Sequence, residues 1–96
     1  MRDIKRSSRF KGEYKLMKKR GKDMQKVDST VLLLANDEEL PPASYDHQLG
    51  GNWAGFRDCH IEPDWLLIYK KTDDEALELY ELRLEATGTH SDLFKK

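Results

Sequence analysis

Three histidines, His47, His60 and His90, are the side chains best placed to exchange protons near neutral pH, and all three fall in the second half of the chain. Asp64 follows Pro63 in the segment Ile61-Glu62-Pro63-Asp64, a turn between two apolar runs. A strand pair closed by an even-numbered turn there sets His60 opposite Trp65, with Asp58 on the same face and Asp64 at the mouth. If a last strand runs antiparallel to 65–72, His90 returns toward the 61–64 turn. The segment holding His47 feeds directly into the strand of His60. Three imidazoles and a carboxylate can therefore meet at one end of a sheet, a set suited to general acid–base chemistry. No His-x3-His or Cys-x2-Cys spacing supports a metal site. Gly50-Gly51 precedes a strand rather than a helix, so it reads as a turn and not as a phosphate cradle. Cys59, the single cysteine, reads as a small buried residue.

The elements that must carry these residues follow from periodicity. Residues 3–7 form at most a short strand. Ser7 and Ser8 are candidate N-caps, and Phe10, Tyr14 and Met17 then share one helix face. Gly21 suits a helix C-terminus, and Asp23 can cap a second helix carrying Met24, Val27, Val31 and Leu34. The expectation is an αα-hairpin over 9–20 and 24–36. Pro41-Pro42 and Gly50-Gly51 make 37–52 a long loop. Strands are expected over Trp53–His60 and Trp65–Thr72, the second apolar on both faces and hence central. Leu77 and Leu79 alternate, as do Leu82 and Leu84, but the pairs are out of phase. A strand with a bulge near Tyr80-Glu81 reconciles them; a helix over 75–85 is the competing reading. His90–Phe94 is at most one helical turn.

Ninety-six residues make one domain, 1–96, with a single small core. Charged residues are 36% and hydrophobic residues 38%, yet nine aromatics argue against disorder. No apolar run is long enough to span a bilayer, and MRDIKRSSRF is not a signal peptide, so a cytoplasmic setting is expected. The net charge of −1 conceals a segregation. Residues 1–26 hold eleven Lys/Arg and three Asp/Glu, or +8; residues 27–96 hold six and fifteen, or −9. The basic quarter can meet nucleic acid or pair with the chain's own acidic part.

Three blocks, Asp46-His47-Gln48-Leu49-Gly50-Gly51-Asn52-Trp53, Gly55-Phe56-Arg57-Asp58-Cys59-His60-Ile61-Glu62-Pro63-Asp64-Trp65-Leu66-Leu67-Ile68-Tyr69 and Thr87-Gly88-Thr89-His90-Ser91-Asp92-Leu93-Phe94, resemble the YafQ branch of the RelE-like bacterial toxins. The resemblance covers nearly the whole chain, because the basic hairpin also looks like that family's start. It implies an α+β fold, a small antiparallel sheet packed against an N-terminal αα-hairpin. It also implies the toxin of a type II toxin–antitoxin pair, an endoribonuclease that cuts messenger RNA in the ribosomal decoding site. No cofactor or metal is implied. The implied partners are the ribosome and mRNA, a small cognate antitoxin and, through it, operator DNA. The family's functional positions fall on His47, His60, Asp64, Trp65, His90 and Phe94. On that reading His90 is the acid, His47 or His60 the base, and Asp64 the group that orients an imidazole. Trp65 and Phe94 are the surfaces against which bases stack. The family often has arginine at the position of Ala86; here Arg83 or Arg57 is left to hold the phosphate. The alternative is a catalytically weak relative that serves mainly as antitoxin partner and co-repressor.

Overall fold

Residues 1–94 are described by a computed structural model. Strand β1 (Asp3–Arg6) leads into helices α1 (Ser8–Lys19) and α2 (Met24–Ala35), then short strand β2 (His47–Gln48), strands β3 (Arg57–Glu62), β4 (Trp65–Asp74) and β5 (Leu79–Gly88), and the one-turn helix α3 (His90–Leu93). The sheet order is β1-β5-β4-β3-β2. Strands β3 to β5 pair antiparallel, as expected, and β2 pairs antiparallel with β3; β1 joins the edge of β5 in parallel, which makes the sheet mixed.

The hairpin forms for the reasons legible in its residues. The Ser7 hydroxyl accepts the Phe10 N–H at 2.9 Å and donates to the Glu85 carbonyl at 2.7 Å, so the cap that starts α1 also fastens it to β5. Gly21, at φ +87°, ends α1, with the Gly21 and Lys22 N–H groups returning to the carbonyls of Lys18 and Met17. Asp23 caps α2 through the Gln25 N–H. Phe10, Met17, Val27, Val31 and Leu34 then bury against Cys59, Trp65, Leu67, Tyr69, Leu82 and Leu84. Residues 65–69 of β4 are all at most 1% exposed, so β4 is the central strand and packs on both sides. The single core expected from chain length is corrected: the buried β4 divides the apolar residues, and on the far side Leu66, Ile68, Ala86 and Leu93 form a second, smaller core under Leu49, Trp53 and Phe56.

Four further expectations are corrected. The 37–52 loop is interrupted by a 3-10 turn (Pro42–Ser44) and by β2, so His47 lies on an edge strand. Trp53–Phe56 is not strand, because Gly51 and Gly55 adopt φ +60° and +91° and turn the chain out of the pleat. His60 faces Leu66 rather than Trp65, since an irregularity between His60 and Glu62 sets Glu62 against Trp65. The bulge in β5 lies at Glu85, not at Tyr80-Glu81: Ile68 faces Ala86 while Tyr69 faces Leu84. That extra residue turns Leu84 to the helices and Ala86 to the opposite core. Leu77 and Leu79 sit exposed at the hairpin tip, which has no core to serve.

Two polar devices hold this frame. The buried Trp65 indole donates to the Thr87 hydroxyl at 2.9 Å, which itself donates to the Leu66 carbonyl at 2.8 Å. At the other end, Asp37 meets Lys71 (2.8 Å) and Arg2 (2.7 Å), and Arg2 also reaches Asp73. Lys71 first, then Arg2, hold the Asp37 carboxyl down at about 2. The basic quarter thus pairs partly with the acidic remainder: Arg2, Arg20, Lys22 and Lys26, four of its eleven cations, have partners beyond residue 26.

Thr87→Val should destabilise the protein by about 1–3 kcal/mol, the cost of a buried indole N–H without an acceptor, while Thr87→Ser retains most of the stability; urea unfolding measures both. Asp37 has a folded pKa below its ordinary 3.8, so its contribution is complete above about pH 4 and disappears as the pH falls toward 2. Asp37→Asn should lower the urea midpoint at pH 7 and remove that part of the acid-side decline.

Candidate active site

The turn after β3 and the exit of β5 place Asp64 and His90 together. Thr87 anchors the end of β5, and Gly88 follows. A Cβ at Gly88 would stand 3.0 Å from Asp92 Cβ and Oδ2, so only glycine lets Asp92 close over the strand end. Asp92 then accepts the Thr89 N–H at 2.9 Å while the Thr89 hydroxyl accepts the Asp92 N–H at 3.1 Å, a capping box that starts α3 at His90. Arg20 grips Asp92 at 2.7 and 3.4 Å and, with the Thr89 N–H, holds its carboxyl far below the usual range.

With α3 fixed, the Asp64 carboxylate accepts the His90 backbone N–H at 2.9 Å and its ring Nδ1–H at 2.6 Å. The backbone bond first, then the imidazole, lowers the Asp64 pKa, so this acceptor stays ionised. A carboxylate can only accept, which places a proton on His90 Nδ1 and leaves Nε2 as the outward nitrogen. His47 is arranged in the same way by a different acceptor. Its Nδ1 lies 2.8 Å from the Tyr45 carbonyl, so neutral His47 carries its proton there and its Nε2 is a free base.

Asp58, placed on the face of His60 from the sequence but not counted among the expected site residues, lies beside His47. It is 3% exposed, and its Oδ1 lies 3.1 Å from His47 Nδ1 yet receives no well-directed hydrogen bond. Burial raises its pKa, against the lowering pull of His47, His60 and His90. The signal was available: Asp58 stands two residues before His60 on the same strand face. Tyr45 had no such signal. It adopts φ +45°, a left-handed backbone unusual outside glycine, and its exposed ring lies 4.8 Å from His47 and 5.9 Å from His60. His60 is 5.5 Å from His90, and His90 is 6.4 Å from Phe94. The rings of Tyr45, His60, His90 and Phe94 thus line one open surface, with His47 beside Tyr45.

The other expected residues lie elsewhere. Trp65 is 0% exposed, its indole committed to Thr87, so it supports the site from within the core and offers no stacking face. Arg57 lies three residues from His60 and faces the opposite side of β3, where Asp46 accepts its Nε–H at 3.1 Å and the Tyr69 hydroxyl at 2.6 Å. Arg83 pairs across to Lys70, four residues along β4 from the Leu66 that faces His60, so it is offset from His60 by roughly 13 Å along the strands and by two strands across the sheet. Neither arginine stands at the histidines. Cys59 is buried, and burial pushes its thiol pKa well up, as befits a packing residue. Among the described residues, no three His, Cys, Asp or Glu side chains are arranged to hold a metal ion.

The chain matches the family model described as the bacterial toxin of a type II toxin–antitoxin system, YafQ, over residues 2–95. It is 49% identical over 94 residues to the mRNA interferase toxin YafQ of Escherichia coli strain K12, covering 97% of this chain and 96% of that one. A crystal structure of YafQ from E. coli strain BL21(DE3) superposes with a TM-score of 0.86 at 46% identity, covering 98% of this chain and 99% of that chain. The toxin in a crystal structure of the E. coli DinJ–YafQ toxin–antitoxin complex superposes with a TM-score of 0.83 at 49% identity, covering 97% of each chain.

Asp58→Asn should raise stability at neutral pH, because a buried, poorly paired carboxylate no longer has to ionise. Its raised folded pKa means that the wild type loses stability as the pH rises through the ionisation of Asp58. Urea midpoints at pH 4.5 and pH 7.5 should therefore converge in the variant relative to the wild type.

Proposed function

The chain belongs to the YafQ family of bacterial toxins of type II toxin–antitoxin systems, an mRNA interferase family, and from that premise we propose that it is a ribosome-dependent endoribonuclease that cuts mRNA in the decoding site by histidine acid–base catalysis. The observation that carries this reading is the pair His47 and His90, each with Nδ1 committed to an acceptor and Nε2 without a hydrogen-bond partner among the described residues.

RNA supplies the nucleophile, its own 2′-hydroxyl. His47 Nε2 takes that proton as the 2′-oxygen attacks phosphorus. Protonated His90 gives its Nε2 proton to the departing 5′-oxygen, and the ionised Asp64 keeps the other proton on Nδ1 throughout. His60, between Tyr45 and His90, is placed to donate to a non-bridging phosphate oxygen. Phe94, 36% exposed beside His90, and the exposed Tyr45 ring are the stacking faces at this end. Two positioned imidazoles move both protons, so the step requires no metal.

A toxin of this kind works under restraint by a cognate antitoxin. Between α1, α2 and β1 runs a groove of about 600 Å³, its floor made by Phe10, Val31 and Leu84 and its rim by Arg6, Lys11 and Lys15. An antitoxin segment with apolar and acidic side chains, folding as it binds, suits that groove. The antitoxin brings the pair to operator DNA, while the lysines of α1, without ion-pair partners among the described residues, meet ribosomal RNA through phosphates. One observation favours a slower enzyme that acts more as a co-repressor: Ala86 is 0% exposed and packed with Ile68 and Leu93, so this position itself supplies no cation where the family often has arginine.

His90→Ala should lose roughly 10²–10⁴-fold in single-turnover cleavage on programmed ribosomes with binding nearly intact, and His90→Gln should lose almost as much. The products should carry 2′,3′-cyclic phosphate and 5′-hydroxyl ends. Products with 5′-phosphate ends, or near-normal cleavage by His90→Ala, refute the assignment; a wild type that binds but leaves the message whole favours the co-repressor.

A further inference from the structure

The face of the sheet that carries Asp58 and His60 continues beyond the small core to a row of three cations. Lys5 on β1 faces Arg83 on β5, and Arg83 faces Lys70 on β4. Lys70 lies two residues beyond Ile68 and four beyond Leu66, so the row shares their side of the sheet. Neighbouring strands lie about 4.8 Å apart, and like charges directly opposite one another destabilise a sheet. Two carboxylates share that face, Glu81, 3.3 Å from Arg83 on the same strand, and Asp3 opposite it, yet within the described residues Lys5 and Lys70 have no ion-pair partner. Folding alone does not call for such a row.

Aromatic rings join this row to the histidines. Lys70 Nζ stands 5.6 Å from the Phe56 ring, Phe56 meets Trp53 edge-on at 5.9 Å, and the Arg9 guanidinium lies 5.1 Å from the Trp53 ring. Both rings are half-buried over Leu66, Ile68 and Ala86, and beyond Leu66 stands His60. Cations alternating with partly exposed rings fit an anionic polymer with unstacked bases, phosphates on the row and bases on the rings. The acidic segment of a protein would need the cations but not the rings between them and the histidines.

We propose that Lys5, Arg83 and Lys70, with Phe56 and Trp53, form a track that holds the message on one side of the cut, offset roughly 13 Å along the strands from His60. This rests on the reading of the chain as an mRNA-cutting enzyme. It gives Arg83 a place on the substrate distant from the scissile phosphate.

The test is the triple variant Lys5→Gln, Lys70→Gln, Arg83→Gln of the full chain, compared with the wild type on programmed ribosomes. Three messages are used, one extending on both sides of the cut codon and two truncated close to it, on the 5′ or the 3′ side. On the full message the half-saturating toxin concentration should rise about tenfold or more, and its salt slope should fall by about two, three contacts at roughly 0.7 each. The maximal rate should be unchanged, and the urea midpoint equal to or above that of the wild type. Truncation on one side should bring the wild type to the variant's value and leave the variant unaffected. The track is overturned by an unchanged half-saturation. It is also overturned by an equal defect on all three messages, which assigns the row to ribosomal RNA, or by weakened antitoxin binding with RNA binding intact. A wild type that leaves the message uncut overturns the functional reading alone, because binding of the uncut message, read by fluorescence anisotropy, still scores the row.

Discussion

The Thr87 hydroxyl accepts the proton of the buried Trp65 indole and gives its own to the Leu66 carbonyl, and through that pair of bonds the last residues of β5 are held against the first residues of β4. The start of β4 follows the Pro63-Asp64 turn, and the end of β5 leads to Gly88, Thr89 and His90. A single buried side chain therefore joins the segment holding Asp64 to the segment holding His90. In an apolar core neither the indole N–H nor the hydroxyl has water to turn to, so the bonds are obligatory. The close approach of Asp92 to Gly88 and the Thr89–Asp92 capping box then act on a strand end already in place.

The sheet divides labour between its faces. One face is covered by the αα-hairpin and contains most of the apolar burial, including Trp65, Leu67 and Tyr69. The other has a core of four buried residues and is left open at both ends, one holding histidines and the other cations. Burial on both sides of β4 makes this division possible. The Glu85 bulge completes it by turning Leu84 and Ala86 to opposite faces, so that one strand serves both layers. The site sits on the thinly covered face, where a polymer can reach it, and its rigidity comes from the thickly covered one.

Charge follows the same arrangement. Arg20 meets Asp92 and holds the helix of His90, Lys22 and Lys26 meet Glu62 beside the turn of Asp64, and Arg2 ties the amino terminus to the end of α2 and to β4. Paired cations of the first quarter thus brace the frame. Others on α1 and β1 have no ion-pair partner among the described residues.

Local chemistry written in adjacent residues was legible from the sequence. The Ser7 and Asp23 caps, the Gly21 terminus and the four-three spacing of Phe10, Tyr14 and Met17 produced the hairpin within a residue of its observed ends. The double-sided apolar run from Trp65 to Tyr69 identified the central strand, and the meander it implied brought His90 back to Asp64. Other features were decided only once strands were paired. Whether Trp65 faces solvent or the core depends on the register across the β3–β4 turn, and one irregular residue there moved His60 from Trp65 to Leu66. Arg57 and Arg83 are cations near the right motifs in the chain, but alternation turns the first to the opposite face, and the pairing of Arg83 with Lys70 offsets it by roughly 13 Å along the strands. Side-chain type, capping and periodicity are properties of neighbours in sequence, and the sequence by itself determined them. Facing and distance depend on register and on a bulge, where a shift of one residue exchanges the two sides of a strand, and only the tertiary packing that buries one side could decide them.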